Sequence, residues 1–367
     1  MIMKVKIMTH FCNCAVVALL SLAACAEVPD GKTGVEWKEP ASGVWQISVG
    51  KPEKLNLLSE LDLHPKWNAI NAMPKAELPV NRNEIRFEEV DGKTYIRFPL
   101  DKGEKIFGLG LNFKTVEQRG RILELHVDHY GGKDNGRTHA PVPFFVSSKG
   151  YGAFINSARY IKAYVGTGVR KDSQNPPAVQ DRNTDPGWSA QPYSDNLEFL
   201  VPAEGVEVVL FAGQDMQDVV RRFNLFNGGG VLPPKWGLGF WHRVPTLFTD
   251  RQVQDEIAEF RKRGFPLTVI GLEPGWMSRA YPCTYEWDAT RFPEPEKFVN
   301  DLLQKHIRTN LWFNPGVSPE CEIRDAIEPY TASHTEWNGL VPDYRMPEAR
   351  RIMLDHFKKH QLDLGIS

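Results

Sequence analysis

The sequence predicts a two-domain protein of mixed class, an N-terminal antiparallel β-sandwich followed by an incomplete (β/α)8 barrel of the TIM type. Three observations carry this expectation. Short segments rich in β-branched and aromatic residues fill the first half and are separated by Asp-Gly, Lys-Gly and Glu-Gly turn signals. A breaker run then interrupts the chain, with glycine at 228–230 and proline at 233–234. From Val231 onward the period changes to apolar runs alternating with amphipathic ones, the pattern of βαβ units and a parallel sheet. With 367 residues the chain is long enough for two domains and a sizeable core.

Taken in order, residues 1–25 read as an export signal. Lys4 and Lys6 give a positive leader, and residues 15–24 form an apolar stretch too short to cross a membrane, which takes ~20 residues. The run Leu22-Ala23-Ala24-Cys25 resembles a bacterial lipoprotein cleavage box, so Cys25 is the expected lipidation site and the product is expected to be exported and membrane-anchored, in the periplasm or at the cell surface. Of the five cysteines, Cys12 and Cys14 would leave with the leader, and Cys283 and Cys321 are expected as two free, partly buried thiols, although an exported protein could also pair them. Lys plus Arg number 44 against 46 Asp plus Glu, a formal net charge of -2 without a basic block, which argues against nucleic acid as a partner. The ten tryptophans offer flat faces suited to sugar rings or to core packing.

Residues 26–230 make the expected sandwich, with strands around 84–90, 94–100, 152–156 and 206–211. A polar, glycine-rich loop at 126–137 interrupts the rhythm, and loops of that kind inside compact domains are either functional or solvated tips. A short helix over 215–226 leads to the breaker run.

Residues 231–367 then read as strand 236–241, a helix from Thr249 to about Arg263, and strand 267–272. Thr249 and Gln252 are spaced as a capping box, and Val253, Ile257 and Phe260 share one face. The next units are helix 296–306, strand 310–314, helix 347–360 and the approach to a fourth strand at 364–367. A complete barrel takes ~250 residues, so this domain is expected to be the first part of one, cut before strand four. The strand at 267–272 ends on Glu273, followed by Pro274-Gly275-Trp276, at the strand end where α/β enzymes place their chemistry.

Several segments together resemble glycoside hydrolase family 31, the retaining α-glycosidases. They are 103–110 (GEKIFGLG), 143–147 (PFFVS) with 150–156 (GYGAFIN), 232–240 (LPPKWGLGF), 260–267 (FRKRGFPL), 285–295 (YEWDATRFPEP) and 311–315 (LWFNP). The resemblance implies a galactose-mutarotase-like sandwich, a catalytic barrel and an oligosaccharide or glycan substrate. It puts Glu273 where the family has an Asp that hydrogen-bonds hydroxyls of the bound sugar, a contact suited to charge-assisted discrimination between hydroxyl orientations. It also implies Trp276 as an aromatic wall, Trp312 as a floor residue, Asn314 and Arg243 near the same pocket, and Asp128 from a sandwich loop. For Glu273 the other reading is a salt bridge at the barrel rim; for the tryptophans it is core packing, and for Asn314 capping of the Pro315 turn. His242 reads as a rim or core histidine and Asp288 as a holder of its own loop.

The chain departs from the family at Glu273, at Thr268, which replaces a frequent Asp, and after Arg243. These departures argue against a strictly glucose-specific pocket and add α-galactoside, α-N-acetylgalactosaminide and α-xyloside specificities to the α-glucosidase-like one. Retaining cleavage needs two carboxylates ~5 Å apart, and the resemblance implies that both stand beyond Ser367, so no residue of this chain is expected to be catalytic and the chain alone is expected to be inactive. Such chemistry requires neither metal nor cofactor, and none is expected. Two other readings remain open, a non-catalytic carbohydrate-binding surface lipoprotein and a transglycosylase.

Overall fold

The computed structural model describes residues 34–60, 63–128, 135–168, 179–190 and 193–366. The expected leader with Cys12, Cys14 and Cys25 lies outside the described residues, as does part of the loop at 126–137. The chain divides into two compact units, the first ending at Gly228 and the second starting at Gly229, within the triple glycine.

Among the described residues the first unit holds eleven strands. They are β1 (Val35–Ala41), β2 (Val44–Gly50), β3 (Arg86–Val90), β4 (Lys93–Pro99), β5 (Ile106–Gly108) and β6 (Arg121–Leu125). The others are β7 (Phe144–Ser147), β8 (Tyr151–Asn156), β9 (Ile161–Thr167), β10 (Tyr193–Val201) and β11 (Gly205–Ala212). Two short helices, α1 (Leu57–Glu60) and α2 (Trp67–Asn71), lie between β2 and β3, and α3 (Met216–Phe226) follows β11. The strands form two antiparallel sheets, a six-stranded one in the order β1-β2-β11-β8-β7-β5 and a five-stranded one in the order β3-β4-β10-β9-β6. This is the expected sandwich.

Alternation explains the core between the sheets. Ile47, Ile96, Phe98, Phe145, Ile155, Leu197 and Phe199 are all fully buried, with Phe145 edge-on to Phe98 and stacked on Phe199 at 5.2 and 5.8 Å. β8 departs from alternation, since all six of its residues are buried. The cause is α3, which covers the outer face of the six-stranded sheet by stacking Phe223 on Phe144 at 3.8 Å and burying Val219 and Phe226. Asp215 starts this helix by accepting a hydrogen bond from the Asp218 amide. Arg97 and Glu198, directly opposite on β4 and β10, form a buried ion pair at 2.6 Å.

In the second unit β12 (Phe240–Arg243), β13 (Leu267–Leu272) and β14 (Arg308–Leu311) make a parallel sheet in chain order. The helices are α4 (Asp250–Lys262), α5 (Pro295–Gln304), the single-turn α6 (Arg324–Ile327) and α7 (Pro347–His360). The capping box at Thr249 is formed: its hydroxyl accepts from the Gln252 amide, and the Gln252 side chain accepts from the Thr249 amide. Val253 and Ile257 of α4, Phe298, Val299 and Leu302 of α5, and Ile352 and Met353 of α7 enclose one core with β13.

Three sequence expectations shift. Residues 235–238 form a 3-10 turn after Pro233-Pro234, so β12 starts at Phe240, not at 236. β14 starts two residues and ends three residues earlier than expected, which leaves Trp312 to Asn314 beyond its end. Leu364 to Ile366, the described part of the expected approach to a fourth strand, instead closes a 3-10 turn over Leu362–Leu364 and continues through Gly365 at φ 94°, where a glycine meets no steric cost.

Thr249→Ala removes one half of the capping box. The variant is expected to lose about 1 kcal/mol, read as a lower urea midpoint with unchanged far-ultraviolet circular dichroism.

Candidate functional site

The site is built at the carboxyl end of β13. This strand is paired on both sides and buried along almost its whole length, which fixes the backbone that leads to Glu273. Pro274 and Gly275 then turn the chain sharply, with the Trp276 amide donating to the Glu273 carbonyl at 3.1 Å. Glycine is required at 275, because a Cβ there would stand 1.7 Å from the Thr246 carbonyl oxygen.

Register brings the other strand ends alongside. Arg243 lies opposite Gly271 and Leu311 opposite Leu272, and the Trp312 amide donates to the Leu272 carbonyl. Together they frame a pocket of about 320 Å³, with Arg243, Glu273, Asn310, Trp312 and Phe313 in its lining beside Gly271, Leu272 and Leu311. The Arg243 Nε lies 3.0 Å from Oε1 of Glu273, an ion-pair distance at which the N–H is not aligned for a hydrogen bond. The pair is therefore electrostatic, and Oε1, itself buried, has the Arg243 guanidinium as its charged neighbour.

An aromatic cluster stands beside it. Tyr281 packs on Trp312 at 5.0 Å and on Trp337 at 5.3 Å. Burial pushes the Tyr281 phenol up, and the neighbouring Cys283 and Glu273 add to the shift. Both Tyr281 and Trp337 adopt left-handed backbone conformations, at φ 57° and 47°, which cost non-glycine residues of order 1–3 kcal/mol. Tyr281, Trp337 and Phe313 were not singled out from the sequence. The signal that could have found them is aromatic residues in the loops that follow strand ends.

Of the residues singled out, Arg243, Glu273 and Trp312 meet at the pocket. Trp276 does not line it: the ring is fully buried, edge-on to Trp287 at 5.1 Å, and its indole N–H donates to the Trp312 carbonyl at 2.7 Å. It packs in the core and holds the backbone of Trp312. Asn314 is also turned away; its side-chain oxygen accepts from the Gly316 amide at 2.9 Å, capping the turn after Pro315. Asp128 belongs to the first unit, where it takes a hydrogen bond from Asn135 and pairs with Arg137 at 3.6 Å. His242 packs against Phe260 at 4.4 Å.

Asp288 holds its own loop and, through Arg291, the turn below Glu273. It accepts from the Thr290 hydroxyl and from the amides of Thr290 and Arg291, while Arg291 donates to the carbonyls of Gly275 and Met277. Burial alone would raise this carboxyl, but the hydrogen bonds and the Arg291 charge outweigh it and leave the pKa lowered. Cys283 and Cys321 are free and buried, and burial holds both thiols neutral, Cys321 pushed up to about 12. A larger cavity of about 640 Å³ in the first unit, between α3 and the six-stranded sheet, is walled mostly by apolar side chains such as Phe107, Val146 and Val220 and carries no carboxylate. Among the described residues, the groupings with metal-ligand spacing are Glu286-Cys321-His356 and Glu322-His356-His360; neither includes a residue lining the pocket.

With this geometry in hand, comparison with known proteins is direct. Residues 230–367 match the model of the glycosyl hydrolases family 31 TIM-barrel domain, and residues 26–162 match that of the glycosyl hydrolase 31 N-terminal galactose mutarotase-like domain. An α-xylosidase from Lactiplantibacillus pentosus is 25% identical over 291 residues, 74% of this chain and 34% of the relative. Another from Emericella nidulans is 26% identical over 307 residues, 80% of this chain and 36% of the relative. The chain thus spans about a third of the length of these relatives. Among solved structures, a family 31 dextranase from Flavobacterium johnsoniae in complex with glucose superposes with a TM-score of 0.66 at 18% identity, over 91% of this chain and 44% of that one.

The sign of the Asp288 shift sets a pH dependence. A carboxyl with a lowered folded pKa contributes its stability above the ordinary Asp value of ~3.9 and loses it as pH falls through the folded value. Asp288→Asn is expected to be less stable than the parent by about 1–3 kcal/mol at pH 7, and this difference is expected to shrink as the pH falls below ~4, measured by urea denaturation followed through tryptophan fluorescence.

Proposed function

The chain belongs to glycosyl hydrolase family 31, and from that premise we propose that it supplies the sandwich and the sugar-recognising strand ends of a retaining α-glycosidase that hydrolyses terminal α-linked sugars of oligosaccharides or glycans. The observation that carries this reading is the pocket at the end of β13. There one carboxylate oxygen of Glu273 lies beside the Arg243 guanidinium without a hydrogen bond, and Trp312 presents an aromatic surface. A charged acceptor and a charged donor fixed at strand ends suit a ring of hydroxyls, which both donate and accept, while an aromatic face suits the C–H face of a sugar.

In this reading Glu273 recognises and does not cleave. Retaining hydrolysis uses a nucleophile and an acid/base ~5 Å apart, and Glu273 is the one carboxylate among the residues that line this pocket. The catalytic pair is assigned to barrel strands after β14, and these residues alone are expected to be inactive. The α-xylosidases among the relatives support a pocket for a pentose-type sugar, and a dextranase among the structural neighbours keeps glucosides in view. The single carboxylate also favours a second reading, a carbohydrate-binding protein without turnover.

The reading includes export and anchoring through a lipid on Cys25, supported by the Leu22-Ala23-Ala24-Cys25 run. Cys25→Ser is expected to move the protein from the membrane fraction to the soluble one and to abolish palmitate labelling.

The decisive assay is hydrolysis of p-nitrophenyl α-xyloside, α-glucoside and α-galactoside by the protein translated from its whole reading frame. Turnover of at least one is expected, and Glu273→Gln is expected to lower kcat/KM by ~10–100-fold, the loss of one hydrogen bond to a charged group. Glycan binding with no turnover on any of the three would establish the binding reading instead.

A further inference from the structure

Helix α7 presents His356 and His360 one turn apart on the same face, with ring centroids 4.6 Å from each other. Glu322, from the loop between β14 and α6, reaches up to them. Its Oε1 stands 3.1 Å from Nδ1 of His356 and 2.9 Å from Nε2 of His360.

The tautomer of His356 makes this more than an ion-pair network. Its Nε2 lies 3.1 Å from the Thr284 carbonyl oxygen, which has no hydrogen to give, so Nε2 carries the hydrogen and donates. In the neutral imidazole the lone pair of Nδ1 then faces a carboxylate oxygen, two acceptors in contact at a ring that is fully buried. A positive centre between them removes the conflict. An imidazole whose other nitrogen donates to a backbone carbonyl, with a carboxylate and a second imidazole alongside, is the arrangement by which proteins orient a metal-bound histidine.

We propose that Glu322, His356 and His360 form a binding site for a divalent first-row transition metal, with zinc as its probe. The three ligand atoms already lie within 4.8 Å of one another. Tetrahedral zinc, bound at ~2.0–2.1 Å, sets its ligands ~3.3 Å apart, so the two contacts of Glu322 Oε1, at 3.1 and 2.9 Å, need to open by only a few tenths of an ångström. Glu322 and His360 are partly exposed, leaving the fourth position to water. Two nitrogens and one oxygen suit a borderline-soft ion better than magnesium or calcium. The bound ion would tie the loop after β14 to α7. The neighbouring trio of Glu286, Cys321 and His356 cannot serve in the same way, because the Cys321 thiol and His356 Nε2 both already donate to the Thr284 carbonyl.

One residue competes with the ion. The Lys359 ammonium lies 2.8 and 2.9 Å from the two Glu322 oxygens and must release Oε1 when metal enters. Its side chain is largely exposed and free to swing away.

The test is calorimetric titration of zinc chloride into the tag-free, chelator-treated full chain, with the visible absorption of cobalt as a second readout of tetrahedral binding. One ion per chain is expected, with affinity reduced ~100-fold or more in His360→Gln and in Glu322→Gln, both on partly exposed side chains whose folding is checked by circular dichroism. Lys359→Met is expected to tighten binding severalfold, and His334→Gln to leave it unchanged. Absence of binding in the parent chain, or equal affinity in the parent and in both ligand variants, would overturn the site and leave the cluster as an ion-pair network charged by a proton.

Discussion

The pairing of β13 on both its edges is the constraint on which the second unit depends. Parallel strands bonded to one another in fixed register deliver their carboxyl ends to one side, so the residues that follow β12, β13 and β14 must meet there whatever their identity. The burial of Ile270 and Leu272 in the core they share with the flanking helices holds that register, because a slip by one residue would turn these side chains to the other face. Arg243, Glu273 and Trp312 are neighbours for this reason, although 69 residues separate the first from the last in numbering.

Architecture was legible because it is written in period and punctuation. Turn signals between short β-branched segments marked the sandwich, the capping box at Thr249 marked the start of α4, and the helix over 347–360 appears with the expected ends. The misplaced boundaries lie where local chemistry gives two answers. Trp236-Gly237-Leu238 reads as apolar and strand-like, yet it follows two prolines and closes as a 3-10 turn, and Trp312 to Asn314 is apolar enough to continue β14 but leaves the sheet. An apolar run reports that burial is wanted and not whether a sheet supplies it.

The site was legible in part. Glu273 was found because a carboxylate at the end of a buried parallel strand stands where α/β enzymes place their chemistry, and Arg243 through the resemblance to the family. The aromatic residues were sorted less well, since a tryptophan after a strand end reads the same whether it faces a cavity or a core. Trp276 turned inward because the Pro274-Gly275 turn is tight against Thr246, and Tyr281 and Trp337, far away in sequence, came to Trp312 instead. Which face a side chain takes after a turn is decided by backbone dihedrals and by long-range packing, neither of which a period reveals.

That division of labour among the aromatics bears on how rigid the pocket is. Trp276 gives up its surface to the core and spends its one polar hydrogen on the carbonyl of Trp312, so the residue that lines the pocket is held from behind by one that cannot move without opening the core. Beneath Glu273 the same logic recurs. Asp288 fixes Arg291, and Arg291 ties the carbonyls of Gly275 and Met277, so the turn that aims the carboxylate is braced by charge-assisted hydrogen bonds instead of loop chemistry alone. A recognition carboxylate discriminates between hydroxyl orientations only as far as its own position is fixed, because a mobile acceptor follows whichever hydroxyl is offered. Under the proposed function, the residues that brace this turn from behind are therefore part of what would make Glu273 selective.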